Sequence, residues 1–236
     1  TYFWSKHKST NFDWWRKRFK RQFELVDLLR LDHFRGLAGY WRVNGNSKTA
    51  ISGKWINSPG KTLLNKIKID LGTEFLPIIA EDLGVITPDV EKLRKNFELP
   101  GMKILQFAFD GNEDNPYLPK NIEGENWVVY TGTHDNSTSI SWWECLENNA
   151  KKLIKDEYKF SENPSWSLIK IGMDTNANLF IAPIQDILSL DDSSRLNIPG
   201  TTKNNWRWKL NRNLEEIEDN IRIFSELGNT FGRRRK

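Results

Sequence analysis

Cysteine is almost missing: the 236 residues hold one, Cys145, so an internal disulfide framework is excluded and a reducing compartment fits. Its neighbours Trp143, Glu144 and Leu146 suggest a helix face, and no histidine stands nearby in sequence to activate a thiol. Histidine is scarce too, and His7, His33 and His134 lack metal-ligand spacing. No G-x-G-x-x-G or Walker loop is present, and no G-x-S-x-G elbow. No apolar run approaches the ~20 residues of a membrane span, and no signal-peptide pattern opens the sequence at Thr1. Neither charge sign dominates, with 35 Lys and Arg against 31 Asp and Glu for a net +4. A basic stripe of the kind that binds nucleic acid is lacking. The nearest case, Trp14-Trp15-Arg16-Lys17-Arg18-Phe19-Lys20-Arg21, carries Phe12, Trp15, Phe19, Phe23 and Val26 at helical spacing, so its charges read as a solvated helix face.

What is present is the composition of an ordinary globular domain, 38% hydrophobic and 28% charged, long enough for a full core. The 11 Trp and 13 Phe are a mild hint of sugar stacking, since aromatic rings fill cores and also cover sugar faces. Along the chain, the patterning predicts a helix over 11–27 capped by Asn11 and a strand over 28–34. A Gly-, Asn- and Ser-rich loop over 36–60 follows, then a helix over 61–71 ending at Gly72 and a short strand over 75–80. A helix over 88–96 is opened by Thr87-Pro88. Strands are expected at 102–109, 127–130 and 179–184, a helix over 138–158, and a charged helix over about 211–226. Alternating strands and helices argue for an α/β fold with a parallel sheet. No linker or repeat marks a boundary, so residues 1–236 read as one domain. The strand count is about five, against the eight of a closed parallel barrel.

The polar clusters sit at the strand ends, as in sites built on the carboxyl face of a barrel. Asp32, Glu81 and Asp135 each follow an apolar strand, and on neighbouring strands of one barrel they would converge on one pocket. Two converging carboxylates equip a protein for glycoside chemistry: one attacks the anomeric carbon, the other protonates the leaving oxygen and later deprotonates the incoming hydroxyl. In retaining enzymes they stand about 5–5.5 Å apart. A third carboxylate can steady the cationic transition state. Arg30, two residues before Asp32, is placed to keep it ionised, whereas Glu81 needs desolvation to hold a proton. Each also has a structural explanation. Asp32 can pair with Arg30 or Arg35, Glu81 can cap the next turn, and Asp135-Asn136 can form an Asx turn. Three carboxylates at three strand ends favour the functional reading.

The segments Leu29 to Gly36, Ile79 to Pro88, Leu99 to Lys103 and Tyr130 to Asn136 resemble the 4-alpha-glucanotransferases, the amylomaltase or disproportionating enzymes of the alpha-amylase clan. Ala182 to Asp186, Asn197 to Thr201 and Asn205 to Trp208 resemble them too. The resemblance implies a (β/α)8 TIM barrel, with this chain as its carboxyl-terminal part, strands four to eight, and the amino-terminal half missing. It implies transfer of α-1,4-glucan segments, from maltooligosaccharides or starch or glycogen chains, without metal or organic cofactor. Asp32 would be the nucleophile, Glu81 the acid/base and Asp135 the transition-state stabiliser. Arg30, His33 and His134 would bond the sugar and the nucleophile, Gln185 and Asn205 would line the donor region, and Asp110 would be a further sugar contact. The expected location is cytoplasmic, or the plastid stroma in a photosynthetic eukaryote. One departure falls at Val43 to Ala50, where the family continues with Pro-Ala and a glutamate; an altered acceptor-side contact is expected. The competing readings are an alpha-amylase-type hydrolase and a glucan-binding fragment without turnover.

Overall fold

The computed structural model describes residues 2–233, and the chain divides into two compact units, Thr1–Met102 and Lys103–Lys236.

In the first unit, the single helix expected over 11–27 is two: α1 (Trp4–Ser9) and α2 (Asp13–Phe23). They break at Asn11 and Phe12, both in the left-handed region with φ of 52° and 57°, so Asn11 makes the corner instead of capping. Phe12, Trp15 and Phe19 are buried as the spacing requires, whereas Val26 lies beyond the helix and is exposed. The basic face is solvated and paired: Arg16 to Asp70, Lys17 to Asp13, Arg21 to Glu24. Strand β1 (Leu29–Leu31) is shorter than expected, because His33 has φ 49° and turns the chain into α3 (Arg35–Ala38).

The segment expected as a loop is an antiparallel hairpin, β2 (Gly39–Val43) and β3 (Gly53–Asn57), with Trp41 opposite Trp55. Next comes α4 (Gly60–Leu71), closed as expected by left-handed Gly72 at φ 61°. A side chain at Gly60 would run into the Leu37 backbone, so only glycine allows the chain to enter α4 there. Strand β4 (Ile78–Ala80) starts after Pro77, which has no N–H to give a ladder. It pairs in parallel with β1, Leu29 to Ile78, Arg30 to Ile79 and Leu31 to Ala80. Helix α5 (Pro88–Asn96) matches its expected range, although Thr87 turns its hydroxyl to Asp89 instead of capping the backbone. Phe34, Leu63, Leu64, Ile78, Val90 and Leu99 form the core of this unit.

Strand β5 (Gly101–Ile104) ends early in a 3₁₀ turn, Leu105–Phe107. The sheet of the second unit has the order β5-β6-β7. In it, β6 (Trp127–Tyr130) stands where the patterning places it. The helix expected over 138–158 is divided into α6 (Ser139–Cys145) and α7 (Asn148–Tyr158), with Leu146 and Glu147 extended between them. Helix α8 (Pro164–Met173), capped by Asn163, has no counterpart among the expected elements, its Ser, Gly and Lys blurring the period. Strand β7 (Leu179–Ile181) is parallel to β6 and stops short of Pro183, after which the chain turns into α9 (Ile184–Ile187). Helix α10 (Leu214–Thr230) opens on a capping box between Asn213 and Glu216. Leu105, Val129, Ile154 and Leu168 are central to this unit's core. No helix among the described residues is long and apolar enough to cross a membrane.

Candidate active site

The first unit brings two of the expected carboxylates to neighbouring strand ends. Leu31 and Ala80 are the last paired residues of β1 and β4, and Asp32 and Glu81 stand one residue past each. Backbone bonds tie the ends together: Glu81 N–H to the Leu31 carbonyl at 3.1 Å, and Phe34 N–H to the Glu81 carbonyl at 3.1 Å. The Asp32 carboxylate is paired with Arg30 at 2.8 Å and is open to solvent, its side chain 74% exposed. Arg30 also points its Nε at the Met102 sulfur, 3.4 Å away. The Glu81 carboxylate accepts two backbone N–H groups, from His33 at 2.7 Å and Leu83 at 3.0 Å. The left-handed turn at His33 is what aims its N–H there. Gly36 leaves room for the His33 ring, since a side chain at that position would press on Nδ1.

Arg30, Asp32 and His33 line a cavity of about 520 Å³ whose other walls include Tyr2, Trp4, Trp15 and Tyr40. Behind Glu81, a pair that the patterning did not reveal fixes the next residue: Asp82 meets Arg94 at 3.0 Å, both side chains buried, and accepts the Met102 N–H at 2.8 Å. The Arg94 guanidinium also donates to the Leu99 carbonyl at 2.9 Å.

In the second unit, His134 and Asp135 sit on the loop that follows β6. Asn197 donates its amide to the Asp135 carboxylate at 2.6 Å, and Arg195 donates to the Asp135 carbonyl at 2.6 Å. His134 Nε2 lies 3.4 Å from the same carboxylate, and its ring packs against Trp206 with centroids 5.0 Å apart. The expected Asx turn is replaced by a bond that runs backwards along the loop, the Asn136 amide oxygen accepting the Thr133 N–H at 2.9 Å. Asn197 lies in the Asn197–Thr201 segment that sequence matching singled out, but only the fold shows that it grips Asp135.

Gln185 is buried and uses its amide on the Ser194 carbonyl at 3.1 Å. It shares a small cavity of about 50 Å³ with Thr133, His134, Asn136 and Arg195. Asn205 closes the 198–205 turn, accepting the Ile198 N–H and donating to the Thr201 carbonyl, each at 3.1 Å. Asp110 is placed elsewhere. It lines a separate cavity of about 350 Å³ with Phe109, Leu118, Leu153 and Tyr158, and a hydrogen bond from Asn115 holds its carboxyl below the usual range.

The most buried acid of this unit is Asp186, which ends the Ala182–Asp186 motif and has no role among the expected site residues. It accepts the Thr131 hydroxyl at 2.5 Å and both the N–H and hydroxyl of Ser139 at 2.8 Å. Those two residues bracket the loop that carries His134 and Asp135. Burial pushes the Asp186 carboxyl up, against the opposing pull of the Thr131 and Ser139 hydrogen bonds. Among the described residues no cluster of three His, Cys, Asp or Glu side chains is placed to hold a metal.

A family model described as 4-alpha-glucanotransferase matches residues 1–215. A 4-alpha-glucanotransferase of Synechocystis is 44% identical over 99% of this chain and 46% of its own length. The chloroplastic/amyloplastic 4-alpha-glucanotransferase of Oryza sativa is 45% identical over 89% of this chain and 35% of its own. Among solved structures, the amylomaltase of Streptococcus agalactiae in complex with acarbose superposes with a TM-score of 0.90 at 34% identity, covering 98% of this chain and 47% of that one. The chain therefore belongs to the 4-alpha-glucanotransferase family, and it shares the fold of the matching part of amylomaltase. It spans about half the length of the relatives it matches, or less.

Proposed function

We propose that this chain carries the catalytic carboxylates of a 4-alpha-glucanotransferase, which moves α-1,4-glucan segments to glucose or maltodextrin acceptors by retaining double displacement. The observation that carries the reading is the placement of Asp32 and Glu81 one residue beyond paired parallel strands, with Arg30 on Asp32. In this scheme the Asp32 carboxylate attacks the anomeric carbon, and Glu81 gives its proton to the departing glycosidic oxygen. The covalent glucosyl intermediate is then attacked by an acceptor hydroxyl, whose proton returns to Glu81. Asp135, held by Asn197 and Arg195, supplies negative charge to the cationic transition state. His33, His134, Gln185 and Asn205 are assigned to sugar contacts; Asp110, in its separate cavity, is the weakest of that set.

The proposal includes a (β/α)8 barrel and reads residues 1–236 as part of that one catalytic domain. The described residues supply five strands of the βα type, β1, β4, β5, β6 and β7, whereas closure takes eight. Turnover is accordingly assigned to this chain together with an amino-terminal half, the Synechocystis relative being about twice as long as this chain. The chemistry uses no metal and no organic cofactor. A cytoplasmic or plastid-stromal setting fits relatives that are bacterial and chloroplastic.

The test is maltotriose given to the full-length gene product: glucose and longer maltodextrins appear while the number of reducing ends stays constant. Rising reducing ends would make it a hydrolase instead. Asp32→Asn lowers the rate by several orders of magnitude, as expected when the nucleophile of a covalent mechanism is lost; normal transfer by that variant would overturn the assignment.

A further inference from the structure

The β2–β3 hairpin carries a feature that the transfer chemistry above does not use. Strand alternation puts Trp41, Val43, Gly53, Trp55 and Asn57 on one face. On that face Trp41 and Trp55 are directly opposite each other, 37% and 54% exposed. Both rings are fixed. Trp41 lies over Gly53, where any side chain would strike its indole, and its Nε1–H donates to the Ala50 carbonyl at 2.8 Å. Trp55 meets Trp41 edge-on with centroids 5.6 Å apart, and the Arg35 guanidinium stands 4.3 Å from the Trp55 ring centre. Arg35 is itself held by the Val85 carbonyl at 2.8 Å and the Thr87 hydroxyl at 3.3 Å. The aromatic pair is thus braced from one side by the chain that follows Glu81, and it begins at Trp41, nine residues after Asp32.

We propose that the Trp41/Trp55 face of this hairpin is a binding platform for glucose rings of an α-1,4-glucan chain, outside the cavity lined by Asp32. The inference rests on the glucanotransferase reading for the identity of the sugar. Three observations favour a sugar over other occupants. A pyranose ring offers a flat C–H face to an indole and hydroxyls to flanking donors, and here the indoles stand beside the Arg35 guanidinium and share their strand face with the exposed Asn57. The paired strands place no carboxylate on this face, which suits a neutral ligand. Its exposed aromatic area is on the order of 200 Å², two partly covered indoles, far below the roughly 800 Å² per partner of a stable protein interface. Indoles already locked in place lose little side-chain entropy on binding.

Two measurements on the chain itself test this. In a titration with maltoheptaose followed by ¹H–¹⁵N spectra, the indole N–H signals of Trp41 and Trp55 shift and saturate, while that of Trp127, held by the Glu123 carbonyl at 2.9 Å, stays still. In starch-containing native gels, Trp55→Ala is retarded about tenfold less than wild type, the equivalent of ~1.4 kcal/mol. Trp55→Phe, which keeps a ring opposite Trp41, retains most of the retardation. If the two indoles stay silent while signals elsewhere respond to the sugar, the platform is wrong and the glucan reading stands. If no signal responds, the platform falls, and the transfer reading is decided separately by maltotriose with the full-length gene product. Equal retardation of Trp55→Ala and wild type, with a lowered Tm, would make the pair a hairpin brace only. Indole shifts that follow protein concentration without sugar would make the face a self-association surface, and the proposal would fall.

Discussion

Asp186 shows how one buried side chain can govern a loop it does not belong to. Its oxygens collect the hydroxyl of Thr131 at the end of β6 and two donors of Ser139 at the start of α6, so the intervening turn is held at both ends. Burial raises its folded-state pKa above the ordinary carboxylate value of 3.8. A raised carboxyl favours folding while it is protonated, and that contribution is lost as pH climbs from the unfolded value through the folded one. Asp186→Asn cannot ionise, and its amide still matches the hydroxyl and N–H partners. Melting curves are therefore expected to show wild type losing stability relative to Asp186→Asn as pH rises above about 4. A pH-independent difference would mean that the group does not titrate on folding.

Among the elements, the β1–β4 pair is the one on which the candidate chemistry rests. Arg94 on α5 fixes the chain directly after Glu81, through the buried pair with Asp82 and the bond to the Leu99 carbonyl. Removing one partner of a buried pair strands a charge in the interior, at a cost of roughly 3–5 kcal/mol. Arg94→Met should lower the denaturation free energy of the chain by about that amount in urea titrations. The double change Arg94→Met with Asp82→Leu is expected to recover part of it, since two apolar groups leave no unpaired charge. Helix and strand existence was legible here: α4, α5, β4 and β6 fall where periodicity, Pro88 and Gly72 place them. The hairpin was not, because Gly, Asn and Ser hide a strand pattern whose only proof is the pairing of Trp41 with Trp55. The break between α1 and α2 was equally hidden, since positive φ at Asn11 and Phe12 has no signature in hydrophobic spacing.

For the whole molecule, a net charge of +4 raises the question of an anionic partner, and the most basic stretch, on α2, answers it. Arg16 is spent on Asp70, Lys17 on Asp13 and Arg21 on Glu24. With three of its five cations paired and Arg18 lying 5.2 Å from the Trp14 ring centre, this face offers few to release counterions from a phosphate backbone. The chain should therefore give no band shift with duplex DNA at ~0.15 M salt, where nonspecific complexes already weaken steeply. A tight, salt-sensitive complex would show that the solvated-face reading of α2 is wrong.

By itself the sequence determined that this is an α/β chain with carboxylates at strand ends, because apolar runs, helix stops and charged residues are local signals. It also determined the family, since ordered motifs such as Arg30 to Gly36 and Ile79 to Pro88 survive without any coordinates. Only the tertiary structure decided which groups hold those carboxylates. Arg94 lies twelve residues from Asp82, Asn197 lies sixty-two from Asp135 and Asp186 lies fifty-five from Thr131. Such partners are chosen by chain reversal and burial, and a buried polar group takes whichever partner the packing brings within reach.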